Sequence, residues 1–446
     1  MRDWRPLYPR IGLILLALVF LYVVVLPLLR PRGAYLWGHY RLLDIYAGAP
    51  LVLVVLCVVV IMTVPAHTRR GVALRATTVT ASIVFALILV DLAYTIAQPR
   101  FHAPDYWLDG GGIERAYSTT DPELGFVRKP NISWHRSAPE GGRPAYYRTD
   151  ANGFRNPPGI TRSDVLFIGD SFTEAAWIPE DETFVGRVAA ATGLRVVNLG
   201  RGAYGPQQEL IVLRRYGLAY KPRFVVWQLF DGNDLDDARN FAVWRADPRP
   251  PAVPLRARYY DNSLVRRLVE ASAFPPPMSG RVSAVLNRHD GTRQRKELRY
   301  RFIPDQPDQR SEAFTQTVQT IEAGIRLCQQ HDIQLAVLFV PSLVQVMEPF
   351  LSFDHPADRE RALPGGRVRS DGDFGSRLRS VCGEPGCTYL DAFEGLRAQA
   401  LVDNSRVYDR HDPDEHLDVD GHAVVSRLVV DWIRSRMNDG DRGRRS

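Results

Sequence analysis

The chain has 446 residues, of which 45% are hydrophobic, and carries a formal net charge of +6 at pH 7. This length exceeds one typical domain, so we expect more than one structural unit. The positive charge is mostly arginine spread along the chain, without a dense basic run or a basic and aromatic stripe, so we exclude nucleic acid as a partner.

Three apolar segments occupy the first hundred residues. Residues 11–29 and 45–64 carry no charged side chain, and residues 76–97 contain only Asp91. Crossing the hydrocarbon core takes about 20 apolar residues, so each segment predicts a transmembrane helix in contact with the lipid bilayer. The first is longer than the usual core of a signal peptide and lacks a cleavage site, so we expect residues 1–98 to form a retained anchor.

Flanking arginines predict the orientation of this anchor. They favour a cytoplasmic N-terminus, and three spans then place everything after residue 98 outside the cell membrane, in the periplasm or the extracellular space of a bacterium. Asp91 would be costly against lipid, so we expect it to face other helices or the outer interface.

Two cysteines fit the same compartment. Cys382 and Cys387 flank the turn-forming sequence GEPG, which can bring them together. A disulfide there would suit an oxidising environment. A metal pair is the weaker alternative, since no second Cys or His pair lies nearby in the sequence.

Residues 99–160 are rich in Pro, Gly and aromatics and predict an irregular lead-in packed on the domain that follows. Residues 161–437 then alternate buried strands with helices, which indicates an α/β domain with a parallel sheet covered on both faces. An insertion at about 235–308 interrupts this rhythm and predicts either a lid or a partly disordered stretch. Residues 438–446 form a basic tail. The predicted strands are 164–168, 195–199, 223–230, 334–340 and 388–390, and the predicted helices are 183–192, 206–219, 311–331, 392–401 and 421–437.

Polar residues follow the predicted strands where a parallel sheet places its active site. The first strand runs into Gly169-Asp170-Ser171, the second into NLGRGAYG at 198–205, and the third into Gly232-Asn233-Asp234. The loop before the last helix reads HDPDEH at 411–416.

These residues meet the requirements of acyl transfer. A serine hydroxyl becomes a nucleophile when a base takes its proton, and His416 can be that base for Ser171. Asp414 can hold the imidazole in one tautomer. The oxyanion of a tetrahedral intermediate needs donors, for which the Ser171 amide, an amide of the 200–205 loop and the Asn233 side chain are candidates.

The four blocks together resemble the SGNH, or GDSL-like, hydrolase superfamily over about residues 115–436. The resemblance implies a flavodoxin-like three-layer sandwich that hydrolyses esters or transfers acyl groups, with neither metal nor cofactor. It also implies that Ala203 supplies the oxyanion amide of the second block. Two departures stand out. The family usually has glycine where this chain has Ala203, which loses freedom at positive φ. Many members also have Asp-x-x-His where this chain has Asp414-x-His416, and Asp412 is the fallback.

Other interpretations stay open for the same residues. Ser171 can be the N-cap of a helix that begins at Thr173. Asn233 can close a turn. Zinc could bind through three histidines, although no separate ligand pattern supports it. The three histidines are His411, His416 and His422. His422 could instead cap the last helix.

The sequence therefore predicts a membrane-anchored bacterial serine esterase that removes acetyl or another small acyl group from a glycan or cell-envelope substrate. One alternative is an O-acyltransferase that modifies a surface polysaccharide and needs a membrane partner. The other is an inactive glycan-binding or assembly protein, for which the departure at Ala203 is the motive.

Overall fold

The computed structural model describes residues 117–136, 143–246, 281–299, 309–353, 355–369, 373–383, 386–409 and 415–443, with scattered positions between 67 and 93. Strands and helices are numbered here in chain order over those residues. The strands are β1 Ser118–Asp121, β2 Gly125–Arg128, β3 Ser133–Arg136, β4 Ala145–Arg148, β5 Val165–Ile168, β6 Val196–Asn198, β7 Phe224–Phe230, β8 Arg281–Asn287, β9 Arg293–Arg299, β10 Gln334–Val340, β11 Leu351–Phe353 and β12 Cys387–Asp391. The helices are α1 Ser171–Glu174, α2 Phe184–Thr192, α3 Pro206–Arg215, α4 Asp234–Ala246, α5 Gln309–Gln330, α6 Leu343–Met347, α7 Pro356–Ala362, α8 Phe374–Val381, α9 Phe393–Val402 and α10 Val419–Gly443.

Five parallel strands form the central sheet, in the order β6-β5-β7-β10-β12. Numbered along the chain, this is the order 2-1-3-4-5 of flavodoxin-like folds. Strands β5 and β7 read VLFI and FVVWQLF and are buried throughout, as expected when helices cover both faces. The predicted α/β fold with a parallel sheet is confirmed.

Successive side chains of each strand enter two separate cores, one on each face of the sheet. On β5, Val165 and Phe167 pack with residues of α2, α9 and α10, whereas Leu166 and Ile168 pack with residues of α3, α5 and α8. Helix α5 approaches the sheet closely at Gly324, where an added Cβ would lie 2.2 Å from the Trp227 ring. Helix, sheet and helix thus form three layers.

The lead-in is more regular than its composition predicted. Strands β1 and β2 pair antiparallel, and so do β3 and β4. The first turn is fixed by Asp121, whose Oδ1 accepts the amides of Glu123 and Leu124 at 2.9 Å each. Gly125 follows at a φ of 82°, which glycine adopts without strain. Specific turn chemistry therefore builds hairpins in a region that lacks long apolar runs.

The insertion is also more ordered than predicted over its described parts. Residues 234–246 form α4, and residues 281–299 form the β8–β9 hairpin, which β11 extends to a three-stranded antiparallel sheet. Val282, Ala284 and Leu286 alternate along β8 and enter the core on the α10 side of the central sheet. This period-2 pattern is the signal that the sequence interpretation overlooked. Residues 247–280 and 300–308 lie outside the described residues.

The other domain predictions have mixed outcomes. The predicted disulfide between Cys382 and Cys387 is present. Helix α10 continues into the predicted basic tail and ends at Gly443.

The membrane prediction rests on residues that are mostly not described. Residues 11–29 and 45–64 lie outside the described residues, and residues 76–97 are described only in part. Among the described positions, no helix combines the length and the apolar character that a bilayer crossing requires.

Candidate active site

Ser171 lies in a tight turn between β5 and α1. Asp170 is the N-cap of α1, and its Oδ1 accepts the amide of Phe172 at 2.9 Å. Ser171 is therefore the first helical residue, and the hypothesis that it serves only as the N-cap is wrong. A Cβ on Gly169 would lie 2.4 Å from Thr173 Oγ1, so the turn has no room for a larger residue there.

The structure brings Ser171 together with His416, two of the five predicted site residues. His416 Nε2 lies 2.6 Å from Ser171 Oγ, which is hydrogen-bond distance. The imidazole is 7% exposed and contacts the rings of Phe172 and Trp177 at centroid distances of 4.9 and 5.0 Å. This pair has the geometry of a nucleophile and its base. Asp414 and Asp412 lie outside the described residues, so the orienting carboxylate stays a prediction.

Short pairing of two chain segments positions His416. Tyr408 bridges Leu417, and the Asp409 amide donates to the His416 carbonyl at 2.9 Å. The preceding residue, Glu415, has a φ of 66°. Its side chain is buried and accepts the Leu343 amide at 3.3 Å.

Side chains of the β8–β9 hairpin bind the segment 404–409, which pairs with the His416 loop. Arg288 is 5% exposed and donates to the carbonyls of Asn404, Ser405 and Tyr408 at 3.1, 2.7 and 3.2 Å. Lys296 is 7% exposed, and its Nζ donates to the Asp409 carbonyl at 3.2 Å. Two buried cations of the insertion thus fix the segment that pairs with the His416 loop.

Glu174, at the end of α1, connects the nucleophile turn to the second motif. Its carboxylate accepts Arg128 Nε at 2.8 Å, the Tyr147 hydroxyl at 2.5 Å and the Gly202 amide at 2.7 Å. Burial by itself would raise the pKa of Glu174, but Arg128 and Arg201 outweigh it and hold this pKa well below its usual range. Glu174 is therefore ionised and fixes the 200–205 loop beside Ser171.

Within the 200–205 loop, the amide of Ala203 differs from the amides of the other five residues. The amides of the other five residues donate to Asn198 Oδ1, to the Gly169 carbonyl, to Glu174 Oε2, to the Arg201 carbonyl and to Gln208 Oε1. Among the described residues, the Ala203 amide has no acceptor. A Cβ on Gly202 would lie 3.4 Å from Ser171 Cβ, so this loop lies against the nucleophile.

Ala203 adopts a φ of 62°, the left-handed conformation for which glycine is favoured. Ala203 therefore holds, at a cost in strain, a backbone conformation that glycine adopts freely. The oxyanion role of the amides of Ala203 and Ser171 stays a prediction.

Asn233 is held in place by α4. Its Nδ2 donates to Asp237 Oδ2 at 2.9 Å, and its side chain also hydrogen-bonds the buried carboxylate of Asp170. The role of Asn233 as an oxyanion donor stays a prediction. Next to it, Asp234 Oδ2 accepts the Phe230 amide at 2.7 Å and braces the end of β7. Burial raises the pKa of Asp234 well above its usual value, and Asp170 and Glu209 add to this rise.

His422 caps a different helix from the predicted one. It lies in α10, but its Nδ1 accepts the Phe184 amide at 3.1 Å and so caps the N-terminus of α2. Burial lowers the pKa of His422 to about 3, and Arg155, Arg187 and His416 contribute to this decrease. The ring is therefore neutral, with its proton on Nε2.

His422 is therefore not free to bind zinc, because its Nδ1 lone pair accepts the Phe184 amide and its Nε2 carries the proton. His411 lies outside the described residues. No three His, Cys, Asp or Glu side chains of the described part are placed to hold a metal ion.

No family model and no curated protein matches the chain. Solved structures do. A GDSL-like lipase from Bacteroides thetaiotaomicron is 12% identical, with 61% of this chain and 88% of that chain covered and a TM-score of 0.33. An acetylxylan esterase from Geobacillus stearothermophilus is 13% identical, covering 60% and 92% at a TM-score of 0.33. The acetyl xylan esterase AlAXEase is 15% identical, covering 60% and 98% at a TM-score of 0.33.

The names of these proteins agree with the resemblance predicted from the four motif blocks. At such identities and TM-scores, the likeness itself carries no argument about activity, which has to come from the site.

Replacing Ala203 with glycine should stabilise the protein. Glycine adopts a φ of 62° without the steric penalty of a Cβ, so Ala203→Gly should raise the free energy of unfolding by about 0.5–1 kcal/mol. Urea denaturation measures this. Ala242→Gly in α4 is the control and should lower stability by about 1 kcal/mol. Equal losses in both variants would show that Ala203 is not left-handed.

Replacing Arg288 with methionine should leave the carbonyls of Asn404, Ser405 and Tyr408 without this donor. We expect Arg288→Met to lower the free energy of unfolding by about 3 kcal/mol. Arg295, an exposed arginine on the same hairpin that donates to Ser283 Oγ, is the control, and Arg295→Met should cost no more than about 0.5 kcal/mol. Similar losses in a denaturant titration of both variants would refute the buried contacts.

The neutral state of His422 predicts a pH dependence of stability. Its folded pKa of about 3 lies below the ordinary value of 6.5, so the unfolded chain binds the proton first as the pH falls. The stabilisation is complete above about pH 6.5 and decreases towards pH 3. The stability difference between wild type and His422→Gln should therefore shrink by about 1.4 kcal/mol per pH unit between pH 6 and 5. Parallel stability curves over this range would contradict the burial of a neutral ring.

Proposed function

We propose that the protein is a membrane-anchored serine esterase of the SGNH type that removes acetyl or another small acyl group from a glycan or cell-envelope substrate. The observation that carries the proposal is the 2.6 Å contact between Ser171 Oγ and His416 Nε2. It lies at the carboxyl end of β5, where open parallel sheets place their active sites.

The proposed reaction has two halves. His416 Nε2 takes the hydroxyl proton while Ser171 Oγ attacks the ester carbonyl carbon. The oxyanion that forms accepts hydrogen bonds from the amides of Ser171 and Ala203 and from Asn233. His416 then gives its proton to the departing alcohol oxygen, which leaves an acyl group on Ser171. Water repeats the sequence, with His416 as base, and releases the acid.

Within this proposal, Asp414 orients the imidazole and stabilises it when it is charged. Ala203 keeps a left-handed φ of 62°, as a glycine at this position could, and this supports the esterase proposal over the inactive-protein alternative. Acyl transfer to a second hydroxyl would use the same steps, with that hydroxyl in place of water.

The proposal places the domain outside the cell membrane, with residues 11–29, 45–64 and 76–97 as spans in contact with lipid. Exposed side chains near the end of the third segment support it, because Phe85, Leu89, Val90 and Leu92 are 42–63% exposed while Asp91 is only 3% exposed. Apolar side chains outside and a charged side chain inside are the arrangement expected against lipid. The Cys382–Cys387 disulfide supports an oxidising compartment.

Removing the nucleophile should abolish ester hydrolysis. Full-length protein in detergent is assayed with p-nitrophenyl acetate and with an acetylated xylan. Ser171→Ala should lower kcat by at least about 10⁴-fold. Ser380→Ala, an exposed serine in α8, should leave kcat unchanged. Residual activity of Ser171→Ala near that of wild type would exclude Ser171 as the nucleophile.

The same assay distinguishes the two candidate carboxylates. Asp414→Asn should lower kcat by about 10⁴-fold, because the wrong imidazole tautomer is then favoured. Asp412→Asn should have little effect. The reverse pattern would assign the orienting role to Asp412.

The proposed location predicts the behaviour of fusions at the C-terminus. Alkaline phosphatase needs disulfides to fold, so a fusion should be active in cells if the domain is exported. A fluorescent protein that becomes fluorescent only in the cytoplasm, fused at the same position, should remain dark. A bright fusion with an inactive phosphatase would place the domain in the cytoplasm.

A further inference from the structure

A small cavity opens beside the nucleophile, on the side of His416 that faces Trp177. Ser171 and His416 both line it. Trp177, which is half-buried, forms one wall and places the edge of its indole against the imidazole, at a centroid distance of 5.0 Å and an interplanar angle of 87°. The cavity therefore adjoins both atoms that would carry out the reaction.

Buried residues form the rest of this cavity. Ala175, Ile178, Leu417 and His422 line it, and they are between 1% and 6% exposed. His422 cannot swing aside at little cost, because its Nδ1 accepts the Phe184 amide and its ring stacks on the Phe184 ring at 5.4 Å. The part of the cavity wall that His422 forms is thus fixed.

The free volume is about 10 Å³. That is close to the smallest space that holds one water molecule, and so about the room for a methyl group. A glycan cannot enter such a space. When an ester lies across Ser171, its large alcohol part must therefore point to solvent, and only the end of a small acyl group can point inwards.

We propose that this cavity is the acyl pocket, that it accepts the methyl of an acetyl group and rejects longer acyl chains, and that Trp177 is the specificity-determining residue. The inference rests on the proposed esterase function and narrows its substrate to acetyl esters. Each methylene that does not fit costs a factor of about 10–200 in discrimination.

The experiment compares esters that share an alcohol and differ only in the acyl group. Wild type, Trp177→Ala and Trp244→Ala are assayed in full-length form with p-nitrophenyl acetate, butyrate and hexanoate. The readout is the ratio of kcat/KM for butyrate to that for acetate, from which any loss of folded protein cancels. Trp244 is the matched control, since it is a half-buried tryptophan that stacks on Phe241 in α4.

The expected result is a wild-type ratio of about 0.1 or less, a rise of at least tenfold in that ratio for Trp177→Ala, and no change for Trp244→Ala. Butyrate hydrolysed as fast as acetate by wild type would overturn the acetyl pocket, and an unchanged ratio in Trp177→Ala would overturn the role of Trp177. Folded wild type that hydrolyses none of the three esters would overturn the esterase proposal itself, and the inference with it.

Discussion

Glu174 is an ionised carboxylate buried directly behind the Ser171 turn, and donors from three other segments meet at it. Arg128 of β2, Tyr147 of β4 and the amide of Gly202 all bind the one side chain. Burying such a charge is costly unless it is paired and hydrogen-bonded. Movement of any one of these segments would therefore remove a hydrogen bond from the buried Glu174 carboxylate and destabilise the whole arrangement. The nucleophile turn, the oxyanion loop and the lead-in hairpins therefore hold one another in place.

This constraint explains how the site keeps an unfavourable backbone conformation. Ala203 is left-handed, which costs about 1–2 kcal/mol for a residue with a Cβ. The neighbouring Gly202 amide donates to Glu174. The amides of Gly200, Arg201, Tyr204 and Gly205 also donate to acceptors within the protein. Strain at a single residue persists when its surroundings determine it, and here it is at the one residue of the 200–205 loop whose amide has no acceptor among the described residues.

How much the sequence predicted depends on whether the signal is local. The parallel sheet follows from buried apolar runs such as FVVWQLF, and the Ser171 turn from the residues that directly follow β5. The role of Glu174 was missed, because its partners lie 27 to 46 positions away. The contacts from Arg288 to the segment before His416 span 116 to 120 positions and were missed for the same reason. A single sequence shows a residue's type and neighbours, whereas these contacts exist only once the chain is folded.

The central claim is that Ser171 is a nucleophile activated by His416. The most direct test is covalent labelling of the full-length protein with a fluorophosphonate, followed by mass spectrometry of its peptides. The account predicts one adduct, on Ser171, whose rate of formation falls by several orders of magnitude in His416→Gln. An unlabelled Ser171 in folded protein, or labelling that is indifferent to His416, would contradict it.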